Sequence, residues 1–142
     1  MSPVRSIKQT VNAPQPPGHE PSGCIAIVDD DEPVRRALGR LLSTYSLPVQ
    51  AYPSAREFLE FLKTGAPACL ILDMQMPDMT GLELLHHLAG AGFTFPVIIM
   101  TANEELGLEH KCMLAGAFAF LRKPFCGASL VETLMGALAK PA

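Results

Sequence analysis

Cys24-Ile-Ala-Ile-Val-Asp-Asp-Asp31 decides the fold: five small or apolar residues run straight into three acids. A run that short and that apolar, ending abruptly at charge, has the pattern of a parallel strand buried on both faces whose carboxyl end opens at a polar edge. A helix signal follows at once. Asp31 stands where a cap is needed, Pro33 suits a first turn, and Val34, Ala37, Leu38, Leu41, Leu42 and Tyr45 recur with helical spacing.

The unit then repeats along the chain. Pro48–Tyr52 reads as a second strand, and Ser54-Ala-Arg-Glu57 has the form of a capping box opening a helix that stops at Gly65. Ala68–Asp73 is a third strand, ending in a carboxylate, and Thr80-Gly-Leu-Glu83 opens a helix with Leu82, Leu85, Leu88 and Ala89 on one side. Pro96–Met100 is the fourth strand, Asn103–Leu114 a weakly patterned helix interrupted by Gly107, and Ala117–Leu121 the fifth strand. Leu130, Val131, Leu134, Met135 and Leu138 mark the closing helix. Five strands, each followed by a helix, predict an α/β fold: a doubly wound, five-stranded parallel sheet with helices on both faces.

Composition agrees. The 142 residues suit one domain, 49% of them are hydrophobic, and the mean hydropathy is +0.24. Residues 1–22 hold Pro3, Pro14, Pro16, Pro17 and Pro21 and no large apolar run, so a disordered tail is expected there, with the domain over 23–142. Net charge is −3 with only 11 Lys plus Arg, which argues against direct nucleic-acid binding. Cys24, Cys69, Cys112 and Cys126 fit no metal or disulfide spacing, and no secretory signal follows Arg5 and Lys8. A reduced, cytoplasmic chain is expected. The uncharged stretch between His87 and Ala102 is broken by Gly90, Gly92 and Pro96, so it reads as helix end, loop and strand rather than a membrane span.

The strand ends carry the chemistry. Asp29 and Asp30 follow the first strand, Asp73 ends the third, Thr101 follows the fourth and Lys123 the fifth. In an open parallel sheet ligands bind beyond the carboxyl ends of the strands, so residues scattered over the chain converge on one edge. Singly, each has an ordinary reading as a cap, turn or surface residue. Together, three acids that repel one another call for a hard divalent cation such as Mg²⁺, and a hydroxyl and an ammonium suit phosphoryl oxygens. Adjacent His86 and His87 diverge on a helix and make a poor metal pair. They read as surface residues.

These motifs resemble the receiver domains of two-component response regulators. The similarity spans about 24–140: Ile27-Val-Asp-Asp-Asp31, Leu72-Asp-Met-Gln-Met-Pro-Asp-Met-Thr-Gly81, Met100-Thr-Ala102, Ala115-Gly-Ala117 and Leu121-Arg-Lys-Pro-Phe125 stand in the family's order. The resemblance implies a flavodoxin-like strand order 2-1-3-4-5 and phosphorylation on Asp73. It implies Mg²⁺ held by Asp29, Asp30, Asp73 and the main-chain carbonyl of Gln75, and Thr101 and Lys123 on the phosphoryl group. It further implies Phe120 as an aromatic switch partner of Thr101 and a cis peptide before Pro124. The partners implied are a sensor histidine kinase or phosphotransfer protein upstream, and a downstream protein or a second receiver at a face formed by Asn103–Leu114, Phe118–Leu121 and Ala128–Leu138. Phe118 and Phe120, two apart, are expected to share one face of the fifth strand. Such a domain is a signalling switch rather than an enzyme. The alternative is a Mg²⁺-dependent phosphatase or phosphotransferase of haloacid-dehalogenase-like type, though Gln75 stands where such enzymes carry a second acid. A third possibility is an interaction module that is never phosphorylated.

Overall fold

The computed structural model describes residues 23–139, so the tail expected over residues 1–22 lies outside the described residues. The element order is β1 (Ile25–Val28), α1 (Glu32–Ser43), β2 (Val49–Tyr52), α2 (Ala55–Phe61), β3 (Cys69–Asp73), α3 (Gly81–Gly90), β4 (Val97–Thr101), α4 (Leu108–Leu114), β5 (Ala119–Arg122) and α5 (Gly127–Ala139). All neighbouring strands are parallel, in the order β2-β1-β3-β4-β5. The expected doubly wound sheet is therefore present.

The period of two along each strand divides the core. Ile25, Ile27, Cys69, Ile71, Ile98 and Met100 face Leu38 and Leu42 of α1 and Leu130, Leu134 and Ala137 of α5. Ala26, Val28, Leu70, Leu72, Val97 and Ile99 face Phe58 of α2, Leu84 and Leu88 of α3, and Leu108 and Cys112 of α4. With β1, β3 and β4 buried along their whole length, their register is strongly specified, because a one-residue slip would exchange the two faces. The acids following β1 and ending β3 are thus fixed side by side.

Helix starts follow local chemistry, with corrections. Thr80 makes the full capping box with Glu83. Ser54 accepts from the Glu57 amide, which is one half of the motif. Asp31 sits at the N-cap of α1 but its side chain makes no capping bond; its own amide instead donates to Asp29 Oδ1 at 2.9 Å. The helix expected over Asn103–Leu114 covers only Leu108–Leu114, because Thr101 Oγ1 accepts from the Asn103 amide, Asn103 Oδ1 accepts from the Glu105 amide, and Gly107 turns left-handed at φ +81°. These local bonds compete with helical ones.

Strand β5 begins at Ala119, two residues later than expected, so Phe118 lies outside the strand period. Phe118 packs with the α1–α5 cluster and Phe120 with the opposite one, and the two rings do not share a face. Tyr45 lies past the end of α1 and is half exposed, and Ala89 and Met135 are also exposed, with Leu84 and Ala137 buried in their helices. His86 and His87 are exposed on α3, as expected. Cys24, Cys69 and Cys112 are buried and Cys126 is exposed, and none of the four is in a disulfide. No helix among the described residues is long and apolar enough to cross a membrane.

Candidate functional site

Each strand contributes at the carboxyl edge according to where its apolar run stops. Asp29 follows Val28, and its amide donates to the Tyr52 carbonyl, which holds it at the sheet edge. Asp73 is the last residue of β3 and pairs in register with Met100 of β4. Ligand oxygens of Asp29, Asp30 and Asp73 all lie within 4.8 Å of one another. Asp29 and Asp73 are buried and Asp30 is exposed, so the cluster opens to solvent on the Asp30 side.

Lys123 enters from the other end of the sheet. Its amide donates to the Thr101 carbonyl at 2.8 Å, the Lys123–Pro124 bond is cis as the resemblance implied, and Nζ reaches Asp29 Oδ2 and Asp73 Oδ1, each at 3.4 Å. Burial and then the nearby charge of Asp29 push the Asp73 carboxyl up to about 6, against an opposing pull from Lys123. Burial works to lower the Lys123 ammonium, but Asp73 and Asp29 outweigh it and the net shift is upward. One cation between two buried acids leaves the cluster net negative.

Thr101 is fully buried at the end of β4, where its hydroxyl accepts from the Asn103 amide at 2.9 Å and keeps its own proton to donate. Phe120 stands opposite Ile99 on β5, half-buried, with the Arg122 guanidinium 5.1 Å from its ring centroid. Gln75, whose main-chain carbonyl the resemblance implied as a further ligand, is exposed in the loop after Asp73.

Asp29, Asp30, Asp73 and Lys123 are therefore brought into direct proximity, and Thr101 ends the strand beside Asp73. The donor set fits a hard divalent cation: three carboxylates with too little positive charge among them, open to water on one side.

Three supporting residues were not singled out from the sequence. Gly81 packs so closely that a Cβ there would lie 2.8 Å from the Asp73 carbonyl oxygen and 3.0 Å from Met74 Cα. The signal was a glycine in the first turn of a helix, where alanine is the better former. Arg35 donates from Nη1 to the Asp29 carbonyl at 2.8 Å, and Arg122 donates from Nη1 to the Asn103 carbonyl at 3.0 Å. No sequence spacing announces a side chain that bonds main chain.

The family model "Response regulator receiver domain" matches residues 25–135, and the chain belongs to that family. The transcriptional regulatory protein FixJ of Rhizobium meliloti is 36% identical over 110 residues, which are 78% of this chain and 54% of that protein. The regulatory protein TdiR of Thauera aromatica is 34% identical over 115 residues, 81% of this chain and 51% of that one. The chain thus spans about half the length of these curated relatives. Among solved structures, a response regulator receiver protein from Burkholderia phymatum superposes with TM-score 0.73 at 38% identity, covering 85% of this chain and 98% of that one. The crystal structure of FixJ-N gives 0.71 at 33%, covering 84% and 93%. Both lend the fold and the family assignment independent support, and nothing in the comparisons favours the phosphatase alternative.

Proposed function

We propose that residues 23–142 act as one receiver unit that accepts a phosphoryl group on Asp73 from a phosphohistidine of a sensor kinase or phosphotransfer protein in the cytoplasm. The observation that carries this reading is the pairing of a buried, strand-terminal Asp73 with Lys123 at 3.4 Å and two further acids within 4.8 Å. With its pKa near 6, Asp73 is mostly ionised at neutral pH and can act as the nucleophile. A carboxylate oxygen attacks phosphorus, the P–N bond of the phosphohistidine breaks with its electron pair leaving on the imidazole, and a mixed anhydride forms.

The rest of the edge supports that step. Lys123 is placed to neutralise a phosphoryl oxygen once Asp73 carries the group, and Thr101 to donate its hydroxyl proton to another. Asp29, Asp30, Asp73 and the Gln75 carbonyl would hold Mg²⁺, which when bound supplies charge neutralisation for attacking and phosphoryl oxygens. Arg35, on the Asp29 carbonyl, and Gly81, against the Asp73 carbonyl, fix the acids' backbones.

Output is assigned to the face of Asn103–Leu114, Phe118–Leu121 and Ala128–Leu138, which exposes Leu106, Met113, Leu114 and Met135. A downstream protein or a second receiver docks there when Phe120 and Thr101 move together. The test is intact-mass measurement after incubation with a small phosphodonor, with and without Mg²⁺. A single Mg²⁺-dependent adduct, lost in alkali or hydroxylamine and absent in Asp73→Asn, is expected. Label that persists in Asp73→Asn overturns the assignment, and sustained turnover of free phosphate esters would restore the phosphatase reading.

A further inference from the structure

Strand β2 is an edge strand, and the outer side of that edge is bordered by arginine. The Pro48 carbonyl accepts from the Ile25 amide and the Tyr52 carbonyl from the Asp29 amide, both toward β1. In a parallel strand the amide and carbonyl of one residue point the same way and alternate along the chain. The main-chain groups of Val49 and Ala51 therefore point outward, where no strand of the described residues lies.

On the same edge a groove of about 620 Å³ runs between α1 and β2. Val49 and Ala51 are part of its apolar floor, and Arg35, Arg36, Arg40 and Ser43 rise from α1. Arg36 is paired with Glu32 at the helix surface, Arg35 donates to a neutral carbonyl, and Arg40 makes no ion pair among the described residues. The groove is accordingly net positive, on a chain whose total charge is −3.

We infer that this groove is a docking site for a short acidic strand of a partner protein, which would add to the sheet beside β2. Two observations converge on that occupant. Outward amides and carbonyls at Val49 and Ala51 offer ladder bonds to an extended backbone. Arg36 and Arg40, one helical turn apart, are separated along α1 by about 6 Å, close to the roughly 6.6 Å between alternate side chains of a strand. Acidic residues at alternate positions would thus meet both guanidiniums on the α1 face, while the intervening side chains point to the opposite face of the sheet.

Arginines beside a sheet edge also guard it against self-pairing. Two β2 edges brought together would oppose arginine to arginine, so the same residues that invite an acidic segment reject a second copy. Pro48 and Pro53 flank the strand and limit the added ladder to its four residues. The site touches the Asp73 cluster only through Arg35, which the test leaves in place, and the inference stands whether or not Asp73 is phosphorylated.

The probe is a fluorescein-labelled Glu-Val-Glu-Val-Glu peptide titrated into the full chain at low salt, with Lys-Val-Lys-Val-Lys and the block sequence Glu-Glu-Glu-Val-Val as controls. Saturable binding of the alternating acidic peptide is expected, with slowed exchange of the Val49 and Ala51 amide protons. The double variant R36E/R40E, which loses the exposed Arg36–Glu32 pair and should melt only slightly lower, should bind at least about tenfold more weakly. Equal binding by R36E/R40E or by the block peptide would overturn the proposal. So would no binding at millimolar peptide, an oligothymidylate that protects the same two amides, or a β2-dependent dimer of the chain itself.

Discussion

Lys123 Nζ sits 3.4 Å from Asp73 Oδ1 and 3.4 Å from Asp29 Oδ2, joining the two outermost contributors of the site across 50 and 94 residues of chain. The ammonium is the main force holding the Asp73 carboxyl down against burial and Asp29. Replacing it with Met keeps much of the aliphatic stem and removes the charge. Asp73 in Lys123→Met should then titrate above its value of about 6, read from its carboxyl carbon shift against pH. An unchanged midpoint would mean that the ion pair is not formed in solution.

The same carboxyl sets a pH dependence of stability. Asp73 is raised in the folded chain from 3.8 to about 6, so the unfolded chain releases this proton first and the folded chain holds it longer. Stability without metal is therefore greatest below about pH 4 as far as this group is concerned, and falls as pH rises toward 6, by on the order of 2–3 kcal/mol. Urea unfolding in chelator across that range measures it. Asp73→Asn should remove most of the fall, and a wild-type slope in that variant would place the titration elsewhere.

Asp30 differs from its two neighbours in being exposed, so its charge costs little desolvation and acts mainly through repulsion. Removing it relieves the cluster while deleting a ligand. Asp30→Ala should melt at or above the metal-free wild type and gain little from Mg²⁺, since a cation stabilises only in proportion to its affinity for the folded chain. Calorimetry over a Mg²⁺ titration decides. A variant that keeps the full wild-type gain would exclude Asp30 from the ligand set.

Gly81 gives a test of backbone packing at the site. Alanine would raise helix propensity by up to about 1 kcal/mol, yet its Cβ would fall 2.8 Å from the Asp73 carbonyl oxygen, a main-chain atom that cannot simply rotate away. The clash should win. Gly81→Ala is expected to lose about 1–3 kcal/mol in urea unfolding and to slow phosphorylation of the chain, because the displaced atoms belong to Asp73, the proposed phosphoacceptor.

What could be read in advance divides along physical lines. Strands β1, β3 and β4 were legible because burial on both faces writes an apolar run into the sequence, and the acids at their ends mark where the run must stop. The cluster of Asp29, Asp73 and Lys123 followed from that geometry and from the family's motifs. The start of α4 was not legible. There Thr101 and Asn103 side chains take up the amides of Asn103 and Glu105, and such local bonds leave no periodic trace. The face of Phe118 was misread for a related reason: β5 starts two residues late, and a period of two says nothing outside the strand that obeys it. Gly81 and Arg35 act on main-chain atoms, which no pattern of side chains reports.

A route by which phosphate on Asp73 would reach the output face can be traced through the β4–α4 loop. The Asn103 amide donates to Thr101 Oγ1, the Asn103 carbonyl accepts from Arg122 Nη1, and the Arg122 guanidinium lies 5.1 Å from the centre of the Phe120 ring. If the Thr101 side chain rotates to carry its oxygen toward a phosphoryl group, Asn103 loses its acceptor, the loop shifts, and the hold of Arg122 on Phe120 changes with it. Phe120 is half-buried, so a rotation inward or outward alters the exposed surface of β5. The side-chain bond to Asp73 comes instead from Lys123. Phe120→Ala should therefore accept phosphate at close to the wild-type rate while losing most of the difference in association between phosphorylated and unphosphorylated chains. A loss of about tenfold corresponds to a coupling of about 1.4 kcal/mol, within the ordinary range for two-state switches. Arg122→Ala should weaken the same coupling in the same direction with a smaller effect, since it removes a contact to the ring rather than the ring. Sedimentation velocity with and without a small phosphodonor reads both variants, and phosphate-dependent association that persists unchanged in Phe120→Ala would remove Phe120 from the pathway.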